Sequence, residues 1–214
     1  VSLPSPNFGD RRGGVAPSLV VIHYTAISCD AARARLCDPA AEVSAHWLIS
    51  ETGTAEALVD ERHRAWHAGA GGWAGLDDIN SHSIGIELAN DGSQPFAEPQ
   101  MVALETLLAA IMARWAIPAQ RVIGHSDMAL ARKSDPGPHF DWHRLARQGL
   151  AVWPEPGRAD APLAESLTAF GYPEAPPDVR LAAFRLRFRP WANGPEDAAD
   201  RALAADLAAR FPAA

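Results

Sequence analysis

The chain has 214 residues, 48% hydrophobic and 21% charged, and a formal net charge of −7 at pH 7. Those values are those of a soluble globular protein, long enough for one main domain with a small companion. They exclude a general nucleic-acid binder, which needs a basic field to meet phosphates, and no apolar run approaches the ~18 residues of a membrane-spanning helix.

The N-terminal Val1-Ser2-Leu3-Pro4 leads into polar, Gly-rich sequence without a secretion-signal pattern. Ser18 to Thr25 is apolar on both faces, as a strand covered on both sides would be. Cys29 and Cys37 flank a predicted short helix, Asp30 to Leu36, at a spacing that fits neither a redox pair nor a zinc knuckle, so two free buried thiols are expected, with a local disulfide as the alternative. Strands are predicted at Ala45–Ser50, Glu56–Asp60, Ser83–Ala89 and Arg121–Gly124, with Gly-rich connections such as Ala68–Gly75 between them. Pro99 to Ala116 is the strongest predicted helix: Met101, Leu104, Leu108, Ile111 and Trp115 recur at three- and four-residue steps. Alternating strands and helices predict an α/β domain with a central mixed β-sheet flanked by helices over residues 1–150.

Three prolines between Trp153 and Pro162 then mark a linker at 151–161. Beyond it the sequence turns to Ala, Leu, Arg and Phe at helical spacing. Leu163, Leu167 and Phe170, then Leu181, Phe184 and Phe188, then Leu203, Leu207 and Phe211 predict a three-helix unit over 162–214.

Three predicted strand ends each deliver a polar residue. His23 closes Leu19–Ile22, Glu87 closes Ile84-Gly85-Ile86, and His125 follows Val122-Ile123-Gly124. Ligands bind at such strand ends in α/β sheets. Along Ser83–Ala89 the side chains alternate, so Ile84, Ile86 and Leu88 share one face and Glu87 takes the other. His23, His125 and Asp135 make a sensible set for a zinc ion with one position open to water. Asp127 competes with Asp135 for the carboxylate role, although it can equally cap the turn Met128–Arg132. Lys133 stands alone: the other eighteen basic residues are arginines. A lysine kept beside a histidine and two carboxylates suggests a site where a planar guanidinium does not fit.

Five segments, Val21-Ile22-His23-Tyr24-Thr25, Ser44-Ala45-His46-Trp47-Leu48-Ile49, Ala65-Trp66-His67-Ala68-Gly69, Ser83-Ile84-Gly85-Ile86-Glu87-Leu88 and Ile123-Gly124-His125-Ser126-Asp127 with Lys133-Ser134-Asp135-Pro136-Gly137-Pro138, carry a resemblance. Together they are similar to the zinc-dependent N-acetylmuramoyl-L-alanine amidases of the type 2 family, which includes the peptidoglycan recognition proteins. The resemblance implies zinc held by His23, His125 and Asp135, with Glu87 and Lys133 as the catalytic pair. The implied reaction is hydrolysis of the amide between N-acetylmuramic acid, in the wall or in 1,6-anhydro form, and the L-Ala of the stem peptide.

Substrate contacts are expected from Arg64, Trp66, His67, Trp47 and Asn80. Trp47 replaces a frequent Tyr of the family, and His82 stands where relatives often carry Arg, which leaves Arg64 to grip a substrate carboxylate. Trp66 and Trp73 are expected to offer flat faces to sugars, whereas His46 reads as a core histidine. The C-terminal unit resembles a small helical peptidoglycan-binding module. Peptidoglycan or soluble muropeptides are therefore the expected partners of a monomeric bacterial protein. The missing signal favours the cytoplasm, while the module favours the periplasm. The alternatives are a non-catalytic muropeptide receptor on the same fold and a zinc peptidase acting within the stem peptide.

Overall fold

The computed structural model describes residues 4–155, 157 and 161–213. In chain order its elements are β1 (Phe8–Gly9), β2 (Leu19–Tyr24), α1 (Cys29–Leu36), β3 (Trp47–Ile49), β4 (Ala55–Ala57), β5 (Arg64–Ala65), α2 (Ile79–His82), β6 (Ser83–Leu88), α3 (Glu98–Trp115), β7 (Val122–Gly124), α4 (His125–Met128), α5 (Trp142–Arg147), α6 (Leu163–Phe170), α7 (Pro177–Phe188) and α8 (Ala198–Arg210). Five strands form a mixed sheet in the order β4-β3-β6-β2-β7, in which only β4 runs antiparallel to its neighbour. The predicted mixed sheet flanked by helices is the observed architecture.

The doubly apolar reading of β2 has its structural counterpart in two cores. Val20 and Ile22 point into one cluster with Ile84, Ile86, Val122 and the helix residues Met101, Leu104, Leu108 and Ile111. Leu19 and Val21 point the other way, into a cluster with Ile123, Met128, Trp73, Phe170, Tyr172, Phe184 and Phe188. One sheet face is therefore covered by α3 and the other by the C-terminal helices. Truncating Leu104 or Leu108, both fully buried, to Ala is expected to cost about 2–5 kcal/mol, read as a fall in the denaturant midpoint.

Of the expected linker at 151–161, Pro156, Arg158, Ala159 and Asp160 lie outside the described residues. Its start is packed: Val152 belongs to the C-terminal-side cluster, and the Trp153 ring lies 5.5 Å from that of Phe188. A buried ion pair, Arg187 Nη1 to Asp127 Oδ2 at 2.7 Å, also joins α7 to α4. Both thiols, Cys29 and Cys37, are free. Among the described residues no helix is long and apolar enough to cross a membrane.

Candidate active site

Register alone brings two of the expected site residues together. In the parallel pairing of β2 with β6, His23 lies opposite Glu87. In-register neighbours project to the same face, here the face covered by the C-terminal helices. On the other side of β2, Ile22 pairs with Gly124, so His125 follows the last paired residue and emerges beside His23. The chain then turns through α4 and returns, and the Ser126 amide donates to the Asp135 carbonyl at 2.9 Å. Gly124 allows that return: a Cβ there would stand 2.8 Å from Pro136 Cδ.

The result is a buried group of His23, His125 and Asp135 whose donor atoms all lie within 4.8 Å of one another. His23 Nδ1 is 2.9 Å from His125 Nδ1, and each is 3.0 Å from Asp135 Oδ2. The outer partners fix what these atoms are. His125 Nε2 donates to the Ala68 carbonyl at 2.9 Å, leaving a lone pair on Nδ1. His23 Nε2 lies 3.0 Å from His67 Nδ1, His67 Nε2 lies 3.1 Å from Ser83 Oγ, and that hydroxyl donates to the Ile79 carbonyl at 2.6 Å. Proton donation running outwards along this chain leaves the His23 Nδ1 lone pair facing inwards as well. Two imidazole lone pairs and a carboxylate oxygen thus converge with no donor among them. Such an acceptor-only set suits a cation, and oriented outer partners are typical of metal-binding histidines. A tetrahedral zinc site has ligand bonds of about 2.0–2.2 Å and therefore needs its ligand atoms to lie within about 3.5 Å of one another; this set meets that.

Burial, and next the neighbouring His125, push His23 down to about 4, so the imidazole is neutral and able to ligate near neutral pH. Burial likewise pushes His67 well below its ordinary value. Its ring lies flat over Gly85, where a Cβ would come within 2.4 Å of it. His67 was expected in the substrate groove; it lines the cavity and also orients His23. No spacing rule signals that second role.

Glu87 lines the same cavity, and its Oε2 is a buried oxygen without a hydrogen-bond partner. Burial, then the charge of Asp135, raise it to about 8, with Lys133 opposing. Because the folded value exceeds the ordinary 4.5, the folded state keeps a proton between the two values and loses stability as pH rises through that window. In chelator-treated protein, Glu87→Gln should therefore gain on wild type in Tm between about pH 5 and about pH 8. A constant difference across that range would mean a carboxyl ionised as in water.

Lys133 and Trp66 also line this cavity of about 400 Å³, together with Tyr24, Arg35, Arg132 and Ser134. Sequence reasoning missed these last four, which come from the end of β2, from α1 and from the segment after α4 and share no spacing that would group them. The other expected substrate contacts have different partners. Arg64 donates to Asp78 Oδ1 at 2.8 Å, Trp47 Nε1 donates to Glu61 at 2.9 Å, and Asn80 Oδ1 accepts from the His67 and Ala68 amides. None of the three lines the cavity. Trp73, expected to face a sugar, is 1% exposed and packs against Phe170 and Tyr172. His46 is a core histidine, as expected: Nδ1 accepts from the Gly85 amide and Nε2 donates to the His63 carbonyl. Asp127 stays out of the metal group. It caps backwards onto the Gly124 amide rather than forwards onto a turn at Met128.

The sequence matches a family model described as N-acetylmuramoyl-L-alanine amidase over residues 13–138. The N-acetylmuramoyl-L-alanine amidase AmiD of Escherichia coli is 36% identical over 231 residues, covering 90% of this chain and 83% of AmiD. The 1,6-anhydro-N-acetylmuramyl-L-alanine amidase AmpD of Haemophilus influenzae is 35% identical over 162 residues, covering 66% of this chain and 88% of AmpD. The solved structure of E. coli AmiD with its substrate anhydro-N-acetylmuramic acid-L-Ala-D-gamma-Glu-L-Lys superposes with a TM-score of 0.84 at 33% identity, over 96% of this chain and 98% of that one. The chain thus belongs to the N-acetylmuramoyl-L-alanine amidase family and is an enzyme of that class.

Proposed function

We propose that the protein is a zinc hydrolase that cleaves the amide between the lactyl carbonyl of N-acetylmuramic acid and L-Ala, with 1,6-anhydro-muropeptides among its substrates. The observation that carries this reading is the acceptor-only group of His23, His125 and Asp135 in one cavity with the unpartnered oxygen of Glu87. Solved AmiD, similar over nearly the whole chain, holds an anhydromuramyl peptide, which supports the substrate class.

The three residues would hold the ion through two Nδ1 atoms and one carboxylate oxygen. Zinc in such a site acts as a Lewis acid and brings the pKa of its water to ~7. Glu87 Oε2 takes the proton of the attacking water and returns it to the nitrogen of the departing L-Ala amine, so one carboxyl serves as base and then as acid. The Lys133 ammonium donates to the oxygen that becomes negative in the tetrahedral intermediate. Trp66 and His67 bound the groove, and Asn80 braces its wall by accepting from the His67 amide.

Residues 1–150 act as the amidase unit, and α6–α8 within 162–214 act as a second, peptidoglycan-binding-like unit docked on it. The family match, which stops at residue 138, supports that division.

Incubation with purified anhydromuropeptide should release the free peptide beginning with L-Ala and the intact anhydromuramic acid, resolved by mass. Fragments cut within the peptide would make the protein a peptidase, and binding without any product would make it a receptor. Elemental analysis should find one zinc per chain, lost in His125→Ala; full retention in that variant would remove His125 from the ligand set.

A further inference from the structure

The Asp127 carboxylate is fully buried and accepts three hydrogen bonds from two parts of the molecule. The Gly124 amide donates to Oδ2 at 2.8 Å, within the turn that carries His125. From beyond the linker, Arg187 Nη1 donates to Oδ2 at 2.7 Å and the Tyr172 hydroxyl to Oδ1 at 2.6 Å. Arg187 Nη2 also donates to the Val122 carbonyl at 3.2 Å, at the start of the strand leading to His125. The guanidinium is itself held, with its carbon 4.0 Å from the centroid of the Trp142 ring. Both sides of His125 are thus tied to the C-terminal helices. Between them, the Ser126 amide hooks the Asp135 carbonyl, so two of the three metal-ligating residues inherit their position from this network.

We infer that Tyr172 and Arg187 are positioning residues for the metal centre: through Asp127 they hold the turn that presents His125 and, by way of Ser126, Asp135. The C-terminal helices then do more than engage the wall, since they complete the scaffold of the metal site. This rests on the zinc-hydrolase reading. The physical reason is that α4 is a helix of four residues, His125–Met128, too short to hold its own geometry. Outside partners must fix it. Arg suits that task because its fork reaches the carboxylate and a carbonyl at once.

The same helices contain an internal control. Arg185, two residues from Arg187, makes a buried pair with Asp200 on α8 and, among the described residues, has no bond to the α4 turn. Zinc affinity would be measured on the full chain by competition with a chromophoric chelator, well below the unfolding temperature, for wild type, Tyr172→Phe, Arg187→Met and Arg185→Met. Tyr172→Phe keeps the ring and removes one hydrogen bond, so it should fold. It is expected to weaken zinc binding about tenfold, the lower end for lost outer-shell support, and to lower kcat on a muropeptide with KM little changed. Arg187→Met should lose more. Arg185→Met should lower Tm and leave zinc affinity at the wild-type value. Wild-type zinc affinity in Tyr172→Phe, or an equal loss in Arg185→Met, overturns the inference alone; failure of the wild-type chain to bind zinc overturns it together with the zinc-hydrolase reading.

Discussion

Glu87→Gln is expected to keep the fold and the zinc and to lose about 10²–10⁴-fold in kcat, the usual contribution of a positioned general acid–base group. The substitution is nearly isosteric, so the side chain can still lie beside His23 at the paired register. What it loses is the ability to accept a proton from water and pass it on. The environment points to this role: Oε2 is buried without a partner, and burial lifts the carboxyl to about 8, near the working range of an enzyme. Rates on an anhydromuropeptide, measured alongside zinc content, check the expectation. A zinc-loaded variant with near-wild-type kcat would assign the proton to another group in the cavity.

Lys133→Arg is expected to lose about 10²-fold in kcat/KM although the charge is kept, and Lys133→Met about 10²–10³-fold. The contrast with the adjacent Arg132 explains why. Arg132 directs one guanidinium nitrogen to the carbonyls of both Ala68 and Ala70, tying the loop that also receives His125 Nε2. Lys133, exposed at the cavity, makes no side-chain hydrogen bond or ion pair among the described residues. A compact ammonium can approach a single developing oxyanion, whereas a broad planar fork displaces it. Equal activity of a folded, zinc-loaded Arg variant would reduce Lys133 to a source of diffuse charge.

The candidate site was legible in part because three strand ends that follow apolar runs deliver His23, Glu87 and His125, and β2, β6 and β7 end within a residue of the expected positions. The helices at Glu98–Trp115 and Leu163–Phe170 likewise follow from spacing and from Pro or Gly at their ends. The two-residue strands Phe8–Gly9 and Arg64–Ala65 were not legible. They pair with each other across more than fifty residues, and two residues carry no alternation to detect. The same limit applies to Arg64: nothing local announces that Asp78 will take its guanidinium away from a ligand.

Sequence by itself pointed to His23, Glu87 and His125, which stand where strand periodicity stops, and to Lys133 and Asp135 in the segment after α4, as the residues proposed for the chemistry. It also determined that one sheet strand would be covered on both faces. Only the tertiary structure decided what covers the second face, and so why Trp73 is a core residue and not a platform for sugars. It alone shows the different surroundings of the two aspartates. Asp135 faces two imidazole nitrogens, whereas Asp127 faces a tyrosine and an arginine 45 and 60 residues away. Periodicity records the angle at which a side chain leaves its own backbone. The partner it meets depends on how separate elements pack, and a buried carboxylate is only as stable as the donors that packing brings to it.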